Sequence, residues 1–302
     1  MRRIVLDTDI GTDVDDTLAL LLACRSPELR IEAITVVGSD VGRSARLALK
    51  TLQVAGAKGI PVAEGMDRPL IRDPGTWGAY GGHGVDISGR DLVPGKVHAV
   101  DLLVSLFSSA KRDLDLITIG PLTNVAAAMI REPSIASRIG HLFIMGGIVG
   151  RETPSMALQE YNFACDPEAT NVVLGSSAQK TVVGLDVTLK VPLTAKYLKR
   201  LRRAGTDVAS YAYRVARHYQ RNVAHAPYNY LHDPLTIGAS VDRSLLKTVG
   251  MKVRVETKGD LTEGWTVARL PGGDEEPDAE VAIGVESKKF LEMFTRRLCR
   301  RA

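Results

Sequence analysis

Cysteine is scarce in this 302-residue chain: Cys24, Cys165 and Cys299 are the full set. Three is an odd number, and the spacing fits neither a metal finger nor a disulfide framework. Such usage suits a reducing compartment, so a cytoplasmic location is the expectation. No uninterrupted apolar run reaches the roughly 18 residues of a membrane span, which argues against a membrane protein. No secretion signal is seen before the first apolar strand, which follows Met1-Arg2-Arg3 directly. An excess of one charge is also missing. The 39 Lys and Arg stand against 35 Asp and Glu, and the resulting +4 is too small and dispersed for a nucleic-acid binder. Two basic clusters, Lys199-Arg200-Leu201-Arg202-Arg203 and Arg296-Arg297 with Arg300-Arg301, read as decoration of helix surfaces and ends. There is no internal repeat and no linker. With a hydrophobic share of 45%, residues 1–302 are expected to form one domain with a sizeable core.

What the chain does have is concentrated at its start. The apolar Ile4-Val5-Leu6 feeds Asp7-Thr8-Asp9-Ile10-Gly11-Thr12-Asp13-Val14-Asp15-Asp16, five aspartates within ten residues. Leu18, Leu20, Leu21 and Leu22 follow, so the segment reads as a buried strand, an acidic turn and a helix. Five like charges this close repel one another, and a fold tolerates them when a cation or polar partners compensate. Hard divalent ions prefer such all-oxygen sets. Helix capping accounts for Asp13 or Asp15, but not for all five.

Beyond this start, short apolar runs alternate with amphipathic ones. Strands are expected at 31–37, 60–63, 114–119, 141–145 and 181–185, and helices at 45–54, 100–110, 121–129 and 290–298. A late β pair is expected within 253–270, and 271–277 reads as a surface loop. The alternation predicts an α/β fold, an open and mainly parallel central sheet with helices on both faces. Polar residues gather just after the strands, where open parallel sheets bind ligands. Stretches 67–89, 151–162 and 222–230 read as loops, the first two as lids.

Four further constellations stand out. Leu231-His232-Asp233-Pro234 supplies a carboxylate beside a proton donor suited to neutral pH. Gly120-Pro121-Leu122-Thr123-Asn124 opens a helix. Gln159-Glu160-Tyr161-Asn162 lies in the second lid, and Asp166-Pro167 reads as an N-cap followed by proline at the first helical position. Taken in order with Val36-Val37-Gly38, Pro61-Val62-Ala63-Glu64-Gly65, Gly82-His83-Gly84, Met145-Gly146-Gly147 and Gly184-Leu185-Asp186-Val187-Thr188, these segments closely resemble the nucleoside hydrolase family, the inosine–uridine-type N-ribohydrolases. The resemblance runs over nearly the whole chain.

It implies calcium-dependent hydrolysis of the N-glycosidic bond of small ribonucleosides in base salvage, by a homodimer or homotetramer. It further implies Asp9, Asp16 and Asp233 as calcium ligands with the Thr123 carbonyl, and Asp7 as their support. Asp15 would hold a ribose hydroxyl, and Glu160 and Asn162 the sugar. Asp9 would be the general base toward a calcium-acidified water, and His232 the proton donor to the leaving base. The transition state would be oxocarbenium-like and the outcome inversion. His83 would stand at the upper wall. Trp77, Tyr80, Tyr228 and Tyr230 are candidates for base stacking or lid anchoring.

The chain departs from the family pattern in three places. The aspartate turn is longer than the short family form, which leaves the register of Asp13 against Asp15 open. Ser39-Asp40 replaces a usual Asn, with Asp40 as the expected stand-in. Arg151 occupies a usual Asn position near the 5′ hydroxyl and is either a solvated lid residue or a reader of a modified 5′ group. Alternatives are therefore a hydrolase of a 5′-modified or unusual N-riboside and a non-catalytic ribose- or nucleoside-binding protein. Asp7-Thr8-Asp9 is also similar to the start of haloacid dehalogenase-like, magnesium-dependent phosphohydrolases. Its spacing differs by one residue, and Asp15-Asp16, Glu160 and His232-Asp233 would then have no role.

Overall fold

The structure, a computed structural model, describes residues 1–301 except 74, 76, 80 and 151–158. Tyr80 and Arg151 therefore lie outside the described residues.

The strands are β1 (Arg2–Thr8), β2 (Leu29–Val36), β3 (Val62–Glu64), β4 (Leu114–Thr118), β5 (Leu142–Met145), β6 (Lys180–Val183), β7 (Pro192–Leu193), β8 (Asn229–Tyr230), β9 (Leu246–Val255), β10 (Thr266–Arg269) and β11 (Ala279–Val285). The helices are α1 (Asp15–Cys24), α2 (Val41–Ala55), α3 (Ala99–Ser109), α4 (Thr123–Arg131), α5 (Tyr161–Cys165), α6 (Pro167–Leu174), α7 (Leu185–Thr188), α8 (Ala195–Ala204), α9 (Asp207–Asn222), α10 (His232–Val241) and α11 (Ser287–Cys299). Nine strands form one sheet in the order β10-β9-β11-β6-β5-β4-β1-β2-β3. From β3 to β11 all neighbours are parallel, and β9 and β10 add an antiparallel edge.

Burial on both faces explains the near-continuous apolar runs of the central strands. Successive side chains of a strand point to opposite faces. Ile4 and Leu6 of β1 and Ile117 of β4 accordingly join one core, with Leu18 and Leu21 of α1, Leu235 of α10 and Phe290 and Phe294 of α11. Val5 and Leu116 join the other, with Leu103 and Phe107 of α3, Val125 of α4 and Val173 of α6. The expected fold class is therefore observed, with helices on both faces. The predicted late β pair is also present, as β9 and β10.

Several elements escape the sequence reading, and two bear on the frame of the site. β11 is one. It pairs parallel to β6 and antiparallel to β9, and so welds the edge hairpin to the parallel sheet. Its sequence AEVAIGV follows an acidic, Gly-rich loop and has a polar residue within it, which hides the strand. The other is the end of the second lid. Glu160 caps a helix whose first turn holds Tyr161 and Asn162, so these residues stand on a short helix rather than in a loop.

The topology also fixes where a ligand can enter. The chain leaves β1 toward β2 and β3 on one side, then returns to β4 on the other side of β1. The crevice at the carboxyl ends of β1 and β4 is thus the switch point of a doubly wound sheet. The aspartate turn follows β1 and Gly120 follows β4, both at that crevice.

His141, just before β5, is buried, and its Nε2 contacts the Thr181 hydroxyl at 2.9 Å. Burial, then Arg243, Arg2 and Lys180, push its pKa down to about 4. The unfolded chain, with histidine near its ordinary 6.5, binds the extra proton first, so this group's contribution is lost as pH falls from about 6.5 toward 4. His141→Gln should make the loss of stability between neutral pH and about pH 4.5 shallower by about 2 kcal/mol, read by urea unfolding at both pH values.

Candidate active site

Three helices start at the crevice, and none is capped by a side chain of its own cap residue. Val14 precedes α1, Leu122 precedes α4 and Leu231 precedes α10. Capping therefore does not explain the aspartates. The site's carboxylates lie instead in or beside these first turns, where the helix dipole favours negative charge. Asp15 of α1 accepts from the Asp233 backbone N–H of α10 at 3.1 Å, so one helix's carboxylate caps its neighbour.

The acidic turn is shaped by short-range constraints. Asp9 follows β1 directly, and its carbonyl accepts from Thr12 N at 3.1 Å. Gly11 sits at φ 109°, a conformation that side chains disfavour, and its carbonyl accepts from Gly81 N at 2.7 Å. The Thr8 hydroxyl donates to Asp16 Oδ1. Beneath them Asp7 is fully buried, its Oδ2 accepting from Thr35 Oγ1 at 2.5 Å and Asn124 Nδ2 at 2.8 Å. Asn124 also accepts from Met66 N at 2.8 Å, so it ties the floor to the strand-three loop. A Cβ at Gly120 would lie 2.8 Å from both the backbone N and the Oδ1 of Asp9, which makes glycine a steric requirement there.

These elements enclose a cavity of about 320 Å³, lined by Asp9, Asp13, Asp15, Asp16, Glu160, Asn162, His232 and Asp233 together with Thr12, Ile119, Met145, Tyr161, Leu185 and Tyr219. No Lys or Arg is among these lining residues. Asp15, Asp16 and Asp233 each bring one carboxylate oxygen within 4.8 Å of the others, and all three residues are buried. At an effective dielectric of about 20, each such pair of charges repels by roughly 3 kcal/mol. Three pairs together rival the net stability of a whole domain, about 5–15 kcal/mol. Burial, reinforced by the neighbouring aspartates, holds all three carboxyls well above the usual carboxylate range. Burial likewise lifts Asp9 and Glu160 to about 7. An all-oxygen donor set with uncompensated negative charge fits a hard divalent cation.

His232 opens α10 at the cavity wall. Its Nδ1 contacts the Thr188 hydroxyl at 2.7 Å, which leaves Nε2 for the cavity. Burial pushes its pKa down to about 4, with the Asp13 charge acting the other way.

The other expected site residues are held as follows. Glu160 lines the cavity, yet its carboxylate accepts three backbone N–H groups, from Asn162 and Gly147 at 2.8 Å and Phe163 at 3.1 Å. Asn162 donates to the carbonyls of Ile119 and Met145 at the ends of β4 and β5. Thr123 is fully buried, its hydroxyl donating to Asp166 at 2.8 Å, and it is not among the lining residues. Asp40 caps α2 by accepting from Arg43 N at 3.0 Å. Trp77 is packed with Val37 and Cys165 and donates to the Cys165 carbonyl at 3.1 Å, which makes it a loop anchor. His83 is buried at φ 49°, edge-on to Tyr219 at 5.2 Å. Tyr228 and Tyr230 stack edge to face at 5.2 Å. They line an adjoining cavity of about 280 Å³ with Asp13, Tyr219 and His232.

Tyr219 and Tyr161 escape the sequence reading. Tyr219 on α9 donates to Asp13 Oδ2 at 2.8 Å, so it fixes the extra carboxylate of the long turn. Tyr161 accepts from Gly78 N at 2.6 Å and latches the first lid. Tyr219 follows the apolar Val215 and Ala216 at helical spacing and reads as ordinary core. Only its contact with Asp13 distinguishes it.

A doubly wound sheet with a cation-suited carboxylate cluster at its switch point defines a small-molecule-binding α/β enzyme. The comparisons with known proteins narrow this. The sequence profile of "Inosine-uridine preferring nucleoside hydrolase" matches residues 4–292, and the chain belongs to that family. It is thus an N-ribosyl hydrolase. It is 34% identical to the inosine-uridine preferring nucleoside hydrolase of Crithidia fasciculata, over 96% of this chain and 95% of that one. It is 31% identical to the pyrimidine-specific ribonucleoside hydrolase of Salmonella gallinarum, over 98% and 97%. The solved purine-preferring ribonucleoside hydrolase from Gardnerella vaginalis superposes with a TM-score of 0.88 at 30% identity, over 99% and 98%.

Two measurements test the cluster. In chelated protein Asp16→Asn removes one of three mutually repelling charges and should leave Tm unchanged or raised. A divalent cation at about 100 times its Kd should then stabilise the unsubstituted chain by about 2.7 kcal/mol and the variant by far less, reversing their order. Separately, Gly120→Ala should push Asp9 aside. It should cost about 1–3 kcal/mol in stability but more than about 100-fold in turnover, because a misplacement near 1 Å already has that effect on chemistry.

Proposed function

We propose that this chain cleaves the N-glycosidic bond of ribonucleosides to free base and ribose with a calcium ion resident in the acidic cluster. The observation that carries this reading is the set of three buried carboxylate oxygens, from Asp15, Asp16 and Asp233, within 4.8 Å of one another beside His232 and Asp9. Asp16 and Asp233 would hold the ion, with Asp9 and the Thr123 carbonyl completing the protein's share and Asp15 divided between the ion and a ribose hydroxyl. When bound, calcium supplies a Lewis acid that acidifies water and accepts sugar hydroxyls.

The chain's own residues do the rest. Asp9 accepts the proton of the attacking water. It is held for this by the Thr12 N–H on its carbonyl and by the close approach of Gly120. Positive charge growing on the ribose ring is met by the ring of carboxylates, an arrangement preorganised by the helix starts. Glu160, fixed by its three backbone donors, and Asn162, fixed by two carbonyls, form a rigid wall for the sugar. His232 faces the leaving base as a neutral ring and donates a hydrogen bond to it from Nε2–H, its Nδ1 accepting from the Thr188 hydroxyl. The adjoining cavity with Tyr219, Tyr228 and Tyr230 receives the base. Relatives of similar identity carry pyrimidine-specific and purine-preferring names, so the shared floor sets the reaction and this outer wall sets the base. The whole chain acts as one domain, since the cavity draws on residues from Asp9 to Asp233.

The test is release of free base from purine, pyrimidine and nicotinamide ribonucleosides, with calcium and with chelator. Calcium-dependent release is expected, reduced about 10³-fold or more in kcat/KM by Asp9→Asn, equivalent to about 4 kcal/mol of lost transition-state stabilisation. Tight nucleoside binding without turnover would replace this reading with the non-catalytic one, and release of phosphate would replace it with the phosphohydrolase. Thr188→Val should lower kcat about tenfold with KM held, because it frees the His232 ring without removing a substrate contact.

A further inference from the structure

Several arginines on this surface are paired. Arg3 meets Glu32 at 2.9 Å and Asp113 at 2.7 Å, Arg72 meets Glu168 and Glu263, Arg200 meets Glu292 at 2.6 Å, Arg254 meets Asp278 at 2.7 Å and Arg297 meets Glu28 at 2.7 Å. One groove instead gathers cations without an ion pair among the described residues. A groove of about 410 Å³ between α8 and α9 is lined by Lys199, Arg202, Arg203, Arg217 and Arg221 with Tyr213, and no carboxylate is among its lining residues. None of these five cations has an ion pair among the described residues. Arg217 has only the neutral Gln220 side chain, at 2.6 Å.

The arrangement follows from helix geometry. On α9, Tyr213, Arg217 and Arg221 recur every four residues and so share one face. On α8, Lys199 and Arg203 do the same, with Arg202 beside them. The two stripes face each other across the groove. Like charges four apart on a helix destabilise it slightly, and here both stripes carry that cost with no counter-charge between them. Arg202 and Arg203 gain from the negative end of α8 and Arg221 from that of α9, which explains three of the five. Lys199 and Arg217 have no such compensation.

The geometry points to this groove as a binding site for a phosphate-rich small anion, a di- or triphosphate chain borne by a nucleotide or by inorganic polyphosphate. The concave shape and a volume within the usual range for small ligands favour a compact ligand over a duplex, which needs a broad exposed face. Several guanidinium groups around one cleft suit a chain of several phosphates, because each planar fork can grip a separate phosphate in two bonds. A lone phosphate would leave most of the five unanswered. Tyr213 offers an aromatic edge for a base if the ligand is a nucleotide. This site is separate from the acidic cavity and does not rest on the reaction assigned to it.

The experiment is calorimetric titration of the whole chain, stripped of divalent cations, with inorganic tripolyphosphate in about 150 mM NaCl, where exposed long-range attraction is largely screened. One saturable site per chain is expected, weakened about tenfold or more by Arg217→Glu with Arg221→Glu. The matched reversal Lys58→Glu with Arg90→Glu, which changes net charge equally elsewhere, should leave affinity within about twofold. If the first double variant unfolds early, Arg217→Gln with Arg221→Gln serves in the same titration, with a loss of about threefold or more expected. ATP competing for the site and binding more tightly names a nucleotide as the source, whereas equal or weaker binding names the bare phosphate chain. The proposal is overturned by absence of saturable tripolyphosphate binding, by equal losses in both reversal variants, or by a DNA duplex that saturates the groove where tripolyphosphate does not.

Discussion

Mutual repulsion among buried carboxylates is the constraint around which this molecule is organised. Asp9, Asp15, Asp16 and Asp233 stand in one cavity with Asp13 and Glu160, and among the described residues no Lys or Arg lines it. Such a cluster persists because the fold supplies many small compensations at once. Helix starts converge on it without capping side chains of their own, so their dipoles and free N–H groups are available to the carboxylates. Asp15 caps α10, Thr8 donates to Asp16, and Asp7 below is held by Thr35 and Asn124. What these contacts leave uncompensated is the affinity for a cation.

The same constraint accounts for features that otherwise look unrelated. The parallel sheet reverses its winding between β1 and β4, and that reversal leaves the crevice at their carboxyl ends in which the carboxylates gather. Glycine must follow β4, because a Cβ at Gly120 would collide with Asp9. The first lid is latched at two points, through Gly81 to Gly11 and through Gly78 to Tyr161, and Trp77 anchors that loop rather than forming the cavity wall. Rigid support of this kind is what a positively charged transition state requires, since dipoles that need no reorganisation stabilise it most.

The site is built from two separate parts. The floor is made by residues in or beside strand ends and helix starts. The adjoining wall comes from α9 and the segment after it, where Tyr219, Asp13, Tyr228 and Tyr230 adjoin His232. Asp13, the added acid of the longer turn, is turned toward this wall by Tyr219. The longer turn thus sends Asp13 toward the adjoining cavity and leaves the three-carboxylate cluster to Asp15, Asp16 and Asp233.

By itself the sequence determined the strand–helix alternation, the acidic turn after β1 and the pairing of His232 with Asp233. Each is a local pattern: apolar runs of period suited to strand or helix, and charges too dense to be surface ornament. Tertiary structure alone decided the rest. The family resemblance pairs Asp16 with Asp233, but the fold decided that Asp15 joins them in one cluster, because Asp233 lies 217 positions beyond Asp16 and only the switch point brings their helices together. It decided that Asp40 caps a helix, that Trp77 anchors a loop and that Glu160 binds backbone donors, because each side chain's partner is set by packing. It showed β11, whose apolar alternation is weak but whose two neighbours in the sheet hold it in place. And it made a groove of Lys199, Arg202, Arg203, Arg217 and Arg221, which along the chain are two unremarkable helix surfaces. Local sequence carries periodicity and charge density, whereas partnership across the sheet depends on distances that only the closed fold sets.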